Sequence, residues 1–193
     1  MKQLLNPAVL IAAYSHGYFP MPDPVSNEVQ WYRPDPRAII PLDKFHVSHS
    51  LRRRLNKNTY TVTYDQQFRQ VMQDCANREE TWITPEFIEI YLQLFELGKA
   101  HSIEIWDGER LIGGTYGVCI GGAFFAESMF HIATDASKLA LYFLVERLKQ
   151  QGFTLLECQF RTPHLSSLGA IEITDEAYMA KLSHAIKQNL SFF

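Results

Sequence analysis

The stretch HSIEIWDGERLIGGTYGVCIGGAFFAESM, residues 101–129, decides the fold class of this chain. Its first segment, His101–Trp106, and its second, Leu111–Ile120, flank Asp107-Gly108, a dipeptide favoured in two-residue hairpin loops because it tolerates positive φ. Gly121-Gly122 makes a second turn into a third segment, Ala123–Met129. Short strands joined by tight turns read as an antiparallel meander. Upstream, Thr84-Pro85-Glu86 places a capping hydroxyl, a first-turn proline and an acid at the start of a helix that Gly98 ends. Downstream, Asp135–Gln151 is amphipathic, with Leu141, Leu144, Val145 and Leu148 at helical spacing, and Gly152 ends it. The apolar segment FTLLECQF, residues 153–160, follows as another strand, and a last helix is expected over about 175–189 after Thr174. A meander, a helix and a further strand predict an α+β domain with helices packed against the sheet.

The N-terminal part is written differently. Seven of the nine prolines precede Thr81, at positions 7, 20, 22, 24, 34, 36 and 41. Proline cannot donate a ladder hydrogen bond and breaks helices, so Phe19–Pro41 is expected to be irregular and extended after a first helix over Pro7–His16. Ser48 or Ser50 would cap a short basic helix, Leu51–Lys57. Thr59–Thr63 alternates as a strand, and Asp65 would cap a helix running to about Cys75.

Composition narrows the class of function. Over 193 residues, 47% hydrophobic and 20% charged content belong to a soluble globular protein, and no run of about 18 apolar residues predicts a membrane span. The start has a single charge, and a proline where a signal peptide would carry its apolar core, so the protein is expected in the cytoplasm. Cys75, Cys119 and Cys158 form no CxxC pair, which fits a reducing compartment, and no metal or other cofactor is expected. A net charge of −3 means that any nucleic-acid contact must be local. Arg52, Arg53, Arg54 and Lys57, with His46 and His49 upstream, form one such patch; from charge alone a solvated helix face is the plainer reading. No unusual apolar helix face proposes a dimer, and a monomer is expected.

Two segments break the core pattern with polar groups. Period two puts Phe125, Glu127 and Met129 on one strand face, so Glu127 interrupts an apolar surface. Such an acid is either satisfied by nearby polar groups or forms the wall of a pocket suited to an amine. Leu155, Glu157 and Gln159 share one face of the later strand, opposite Leu156, Cys158 and Phe160. Cys158 has His164 nearby in sequence, but no oxyanion-hole glycine motif accompanies it, and it reads as a buried structural thiol.

WYRPDPR at 31–37, ETWIT at 80–84, HSIE at 101–104, GGTYG at 113–117, ESMF at 127–130, ASK at 136–138 and SLGA at 167–170 occur in one order. As a set they resemble the bacterial leucyl/phenylalanyl-tRNA–protein transferase family over nearly the whole chain. The resemblance implies a GNAT-like (acetyltransferase-like) domain, with a mixed, mainly antiparallel sheet flanked by helices, at residues 65–193. A small, shortened N-terminal subdomain would occupy residues 1–64. It implies transfer of Leu or Phe, with Met also admitted, from aminoacyl-tRNA to the N-terminal amine of proteins beginning with Lys or Arg, which marks them for degradation.

By the same resemblance Glu157 and Gln159 occupy the catalytic acid and amide positions, with glutamate where the family usually has aspartate. Glu127 matches the pocket acid. Met129, Leu141, Leu144, Leu148 and Leu156 match residues lining the aminoacyl side-chain pocket, and Thr115 replaces a commonly larger apolar residue. Trp82 matches an aromatic near the terminal adenosine, Met21 stands where a second tryptophan is usual, and Arg52, Arg53, Arg54 and Lys57 match the tRNA-binding region.

The chemistry implied needs no metal, because an aminoacyl ester is already activated. Glu157 would polarise Gln159, whose carbonyl accepts a proton from the attacking amine; Glu157 as direct base is the rival version. A related leucyl-transferase acting on acidic N-termini and a non-catalytic aminoacyl-tRNA- or N-degron-binding module remain as alternatives. An acyl-CoA N-acyltransferase is disfavoured by the lack of a Q/RxxGxG/A pyrophosphate loop.

Overall fold

A computed structural model describes residues 5–23, 26 and 28–193; the first four residues and Pro24 of the proline-rich segment lie outside the described residues. The chain runs through α1 (Pro7–Ser15), β1 (Phe19–Pro22), β2 (Val29–Tyr32), β3 (Arg37–Ile39), a 3-10 turn at Leu42–Lys44, α2 (His49–Lys57), β4 (Thr61–Tyr64), α3 (Phe68–Ala76) and α4 (Pro85–Glu96). It continues through β5 (Ala100–Asp107), β6 (Arg110–Ile120), β7 (Ala123–His131), α5 (Ala136–Gln150), β8 (Leu155–Gln159), α6 (Pro163–Ser166), β9 (Ile171–Ile173) and α7 (Asp175–Ala185). Side-chain caps set the starts of several helices: Asn6, Ser48, Thr84 and Thr174 accept from the amides of Val9, Leu51, Phe87 and Ala177. Each such cap contributes on the order of 1 kcal/mol.

Seven strands form one sheet in the order β4-β5-β6-β7-β8-β3-β9. All neighbours are antiparallel except β7 and β8, which run parallel and are joined by α5 as the crossover helix. The sheet is thus mixed and mainly antiparallel, with the meander, helix and strand in the expected order. One face is covered by α1, α3, α4 and α7 through Tyr14, Val71, Tyr91 and Tyr178; the other is covered by α2 and α5 through Leu51, Leu141, Leu144 and Leu148. Gly113 lets α5 press onto β6, since a Cβ there would stand 2.6 Å from that of Ala136.

Two expectations need correction. Phe19–Pro41 is not irregular throughout: β1 and β2 form an antiparallel ribbon, and β3 enters the main sheet between β8 and β9. The prolines are tolerated because each strand of a two-stranded ribbon has a free edge. Asp65 does not cap α3; it has a φ of 58° and its carboxylate accepts from Ser102 N at 2.7 Å and contacts His101 Nδ1 at 2.7 Å. β3 and β4 both belong to the main sheet, and outside it stand α1 and the β1–β2 ribbon. Two short elements, α6 and β9, carry no periodicity long enough to be read, and β9 is ordered by pairing with β3.

Candidate active site

Three glutamates are buried among the described residues: Glu104, Glu127 and Glu157. Glu104 is fully satisfied. Its oxygens accept from Ser102 Oγ at 2.5 Å and Thr63 Oγ1 at 2.6 Å, which ties β4 to β5. Glu127 and Glu157 each keep one buried oxygen, Oε2, without a hydrogen-bond partner. Buried polar groups left unpaired are rare in folded chains and call for an explanation.

Backbone irregularity places both. In the β6–β7 ladder Gly117 faces Ala126 and Tyr116 faces Ser128, so Glu127 is the extra residue of a bulge. A bulge re-aims side chains and shifts the alternation. Phe125 accordingly lies in the α1/α3/α4 layer, whereas Met129 lies in the α5 layer. The single face expected for Phe125, Glu127 and Met129 is therefore broken at Glu127. On the neighbouring strand, Gln159 ends β8 with a φ of 63°, in the left-handed region. Pairing between β7 and β8 stops at Phe125↔Glu157, although β7 runs on to His131 and β8 to Gln159. Glu127 and Gln159 thus flank the point where the two strands part.

Glu127 Oε1 accepts from Tyr14 Oη at 2.5 Å, and Tyr14 and Tyr91 hydroxyls are 2.6 Å apart. Burial pushes the Glu127 pKa up to about 8, against the lowering effect of Tyr14, Gln159 and Tyr91 and with the raising effect of Glu157. Glu157 Oε1 accepts from Arg37 Nε at 2.9 Å and from the Gln159 backbone N–H at 2.6 Å. Burial pushes its pKa up to about 7, although Arg37 and the Gln159 amide favour the charged form. The Glu157 carboxylate therefore touches the Gln159 backbone, and the Gln159 carboxamide leans toward Glu127, with Nε2 unpartnered.

The remaining predicted residues divide between the two layers. Trp82 and Met21 are half-buried at the edge of the layer that holds Tyr14 and Tyr91, and Trp82 packs edge-on to Phe87. Met129, Leu141, Leu144, Leu148 and Leu156 lie together beneath α5 on the other side, and Thr115, paired with Met129 across the ladder, donates to Ser128 O at 2.9 Å. Cys158 is in the same apolar layer, where burial pushes its thiol pKa up strongly. On α2, Arg52, Arg53 and Lys57 are exposed, while Arg54 is half-buried and close enough to Asp135 to lower its pKa. Sequence reasoning missed Arg37, Tyr14 and Tyr91 as parts of this cluster. The available signal for Arg37 was an arginine opening the strand-like run RAII.

Comparison with known proteins adds the family. Residues 39–183 match the sequence profile of leucyl/phenylalanyl-tRNA protein transferase, and residues 4–35 match the profile of its N-terminal domain. The chain belongs to the leucyl/phenylalanyl-tRNA–protein transferase family. It is an aminoacyltransferase. A transferase of that description from Cereibacter sphaeroides is 50% identical over 97% of this chain and 88% of its own length. One from Rubrobacter xylanophilus is 50% identical over 97% and 98%, and one from Herpetosiphon aurantiacus is 49% identical over 100% of both chains. Among solved structures, one described as L-PGS from Bacillus licheniformis aligns with a TM-score of 0.46 and 15% identity, covering 84% of this chain and 55% of that one. A GCN5-related N-acetyltransferase from Kribbella flavida aligns with a TM-score of 0.43 and 12% identity, covering 86% and 60%. Membership of the family does not rest on those two likenesses.

Proposed function

We propose that this transferase moves leucine or phenylalanine, and methionine less selectively, from aminoacyl-tRNA to the N-terminal amine of proteins beginning with Lys or Arg, and so marks them for degradation. The observation that carries the reading is the pair of half-satisfied carboxylates, Glu127 and Glu157, beside Gln159 where β7 and β8 part. In this reading the acyl chain passes from the Glu127 side, where the strands part, into the apolar layer of Met129, Leu141, Leu144, Leu148 and Leu156, with Thr115 paired to Met129 across the ladder. Choice by volume separates side chains by only about 1–3 kcal/mol per methylene, so discrimination among Leu, Phe and Met is loose. Glu127 Oε2 receives the α-ammonium of the aminoacyl group, and that positive charge draws the carboxyl back to its ionised form. Trp82 and Met21 border the terminal adenosine, and Arg52, Arg53 and Lys57, with Arg54 behind them, meet the tRNA backbone.

The reaction replaces the ester C–O bond with an amide C–N bond. An N-terminal amine has a reference pKa near 8, so an appreciable fraction is neutral at physiological pH. The Gln159 carbonyl orients that amine toward the ester carbonyl and accepts its proton as the C–N bond forms, and the departing ribose oxygen takes up a proton in turn. Orientation of this kind can supply on the order of 7–11 kcal/mol. Between the two roles open to Glu157, its full burial and its bond to the Gln159 backbone favour action through Gln159 over direct proton abstraction. The three free cysteines accord with a reducing, cytoplasmic setting, and the chain acts as a monomer in this reading.

The test is transfer from Leu-, Phe- and Arg-tRNA to peptides starting with Lys, Arg, Asp or Glu. Product from Leu- and Phe-tRNA on Lys and Arg peptides alone is expected. Product on Asp or Glu peptides would replace the acceptor assignment, and bound aminoacyl-tRNA without product would mark a binding module.

A further inference from the structure

Arg37 is 1% exposed, and a guanidinium so deeply placed persists only where several groups compensate it. Several neighbouring segments supply them. Its Nε donates to Glu157 Oε1 on β8 at 2.9 Å, and its Nη2 donates to Gly17 O, in the turn after α1, at 2.5 Å. Its plane lies over the Tyr178 ring of α7 at 4.4 Å and the Phe19 ring of β1 at 5.0 Å. Gly17 meets it with a φ of 82°, a conformation open to glycine, and a Cβ there would press on Met179 Sδ at 2.8 Å. β3, which carries Arg37, lies between β8 and β9 and so brings the group directly behind the Glu157–Gln159 strand end.

We propose that Arg37 is a positioning residue for the transfer: it holds the Glu157 carboxylate against the Gln159 backbone amide and so fixes the left-handed turn that presents the Gln159 carboxamide at the β7–β8 opening. This rests on the reading of Glu157 and Gln159 as the working pair. Glu157 Oε1 receives both Arg37 Nε and Gln159 N, so one carboxylate oxygen couples the guanidinium to the backbone whose φ is 63°. A non-glycine residue holds that conformation only where its surroundings impose it. Without Arg37 a carboxyl with no exposed surface takes up a proton, and the neutral acid is a weaker acceptor for the Gln159 amide. The other titratable groups facing Glu157 are Glu127 on β7, Tyr178 on α7 and its neighbour Cys158. None of these brings a positive charge, so Arg37 is the group that draws Glu157 toward its ionised form.

The experiment measures kcat and KM for leucine transfer to an Arg-starting peptide across pH, with thermal unfolding, for Arg37→Met, Arg37→Lys, Glu157→Gln and the double variant Arg37→Met/Glu157→Gln. Arg37→Met is expected to lose about 10²-fold in kcat, the scale of a small misplacement of reacting groups, with little change in KM for Leu-tRNA. The acid limb of its pH profile moves to higher pH. Arg37→Lys keeps the charge and restores the limb but not the full kcat, because an ammonium cannot reproduce the fork. The double variant regains unfolding temperature relative to Arg37→Met without regaining activity. A folded Arg37→Met with wild-type kcat and an unmoved limb, beside an impaired Glu157→Gln, overturns the role of Arg37 alone. Full activity in Glu157→Gln removes the working pair and the role of Arg37 with it. If Arg37→Met does not fold, wild-type kcat in Arg37→Lys is the overturning result.

Discussion

Glu104 and Glu127 differ by one oxygen. Both are buried, but Glu104 has neutral donors on both oxygens, and Glu127 has a tyrosine on Oε1 and no hydrogen-bond partner on Oε2. The first arrangement holds strands together; in the proposed function the second takes a donor from outside. Glu127→Gln keeps the shape and removes the charge that would hold an ammonium. A hydrogen bond to a charged group is worth about 1.5–3 kcal/mol, so kcat/KM for aminoacyl-tRNA should fall by about 10- to 150-fold. Steady-state kinetics on the folded variant checks this, and unchanged kcat/KM would release Glu127 from the site. Glu127, Glu157 and Gln159 were legible in sequence because each interrupts an apolar alternation. Tyr14 and Arg37 were not, since their partners lie 113 and 120 positions away and no local pattern joins them.

At the scale of elements, the meander, α4 and α5 were readable from turns, caps and apolar periodicity. The bulge at Glu127 was not. A bulge is a property of the ladder between β6 and β7, so strict alternation carried Met129 to the wrong face. β3 escaped for a related reason: three residues after a run of prolines become a strand only because β8 and β9 pair with them. α2 was readable to within two residues, and its solvent face carries Arg52, Arg53 and Lys57. Reversing Arg52 and Arg53 to Glu should raise KM for Leu-tRNA. It should also reduce the magnitude of the salt dependence by about 0.7–0.9 log units per log unit of salt for each phosphate that is no longer neutralised. Transfer rates measured across a salt series check it, and an unaltered slope would place tRNA elsewhere.

At the scale of the molecule, a seven-stranded sheet between two helical layers puts the polar cluster in the layer of α1, α3, α4 and α7 and the leucine-rich wall in the layer of α5. Pairing of β7 with β8 stops at Phe125 and Glu157, and in the proposed function that is where one ligand reaches both. This arrangement has a stability signature in the unliganded protein. The folded pKa values of Glu127 and Glu157, about 8 and about 7, lie above their ordinary 4.5. Stability from keeping them protonated is complete below pH 4.5 and is lost as pH rises through 7 and 8. His164, whose pKa burial lowers, acts oppositely on the acid side, so the comparison is made against Glu127→Gln at each pH. The Tm advantage of that variant should grow from about pH 5 to about pH 8, measured by thermal unfolding; a constant difference would mean that Glu127 is not held protonated. The family was legible from motifs spread along the chain, whereas the division of the candidate site residues between two layers needed the sheet.

The most direct measurement is single-turnover transfer of labelled leucine from Leu-tRNA to an Arg-starting peptide by the wild type and Gln159→Ala, each shown to be folded. Product from the wild type is expected, with a rate about 10²–10⁴-fold lower for Gln159→Ala, the usual range for a lost proton-handling group; equal rates would remove Gln159 from the transfer step.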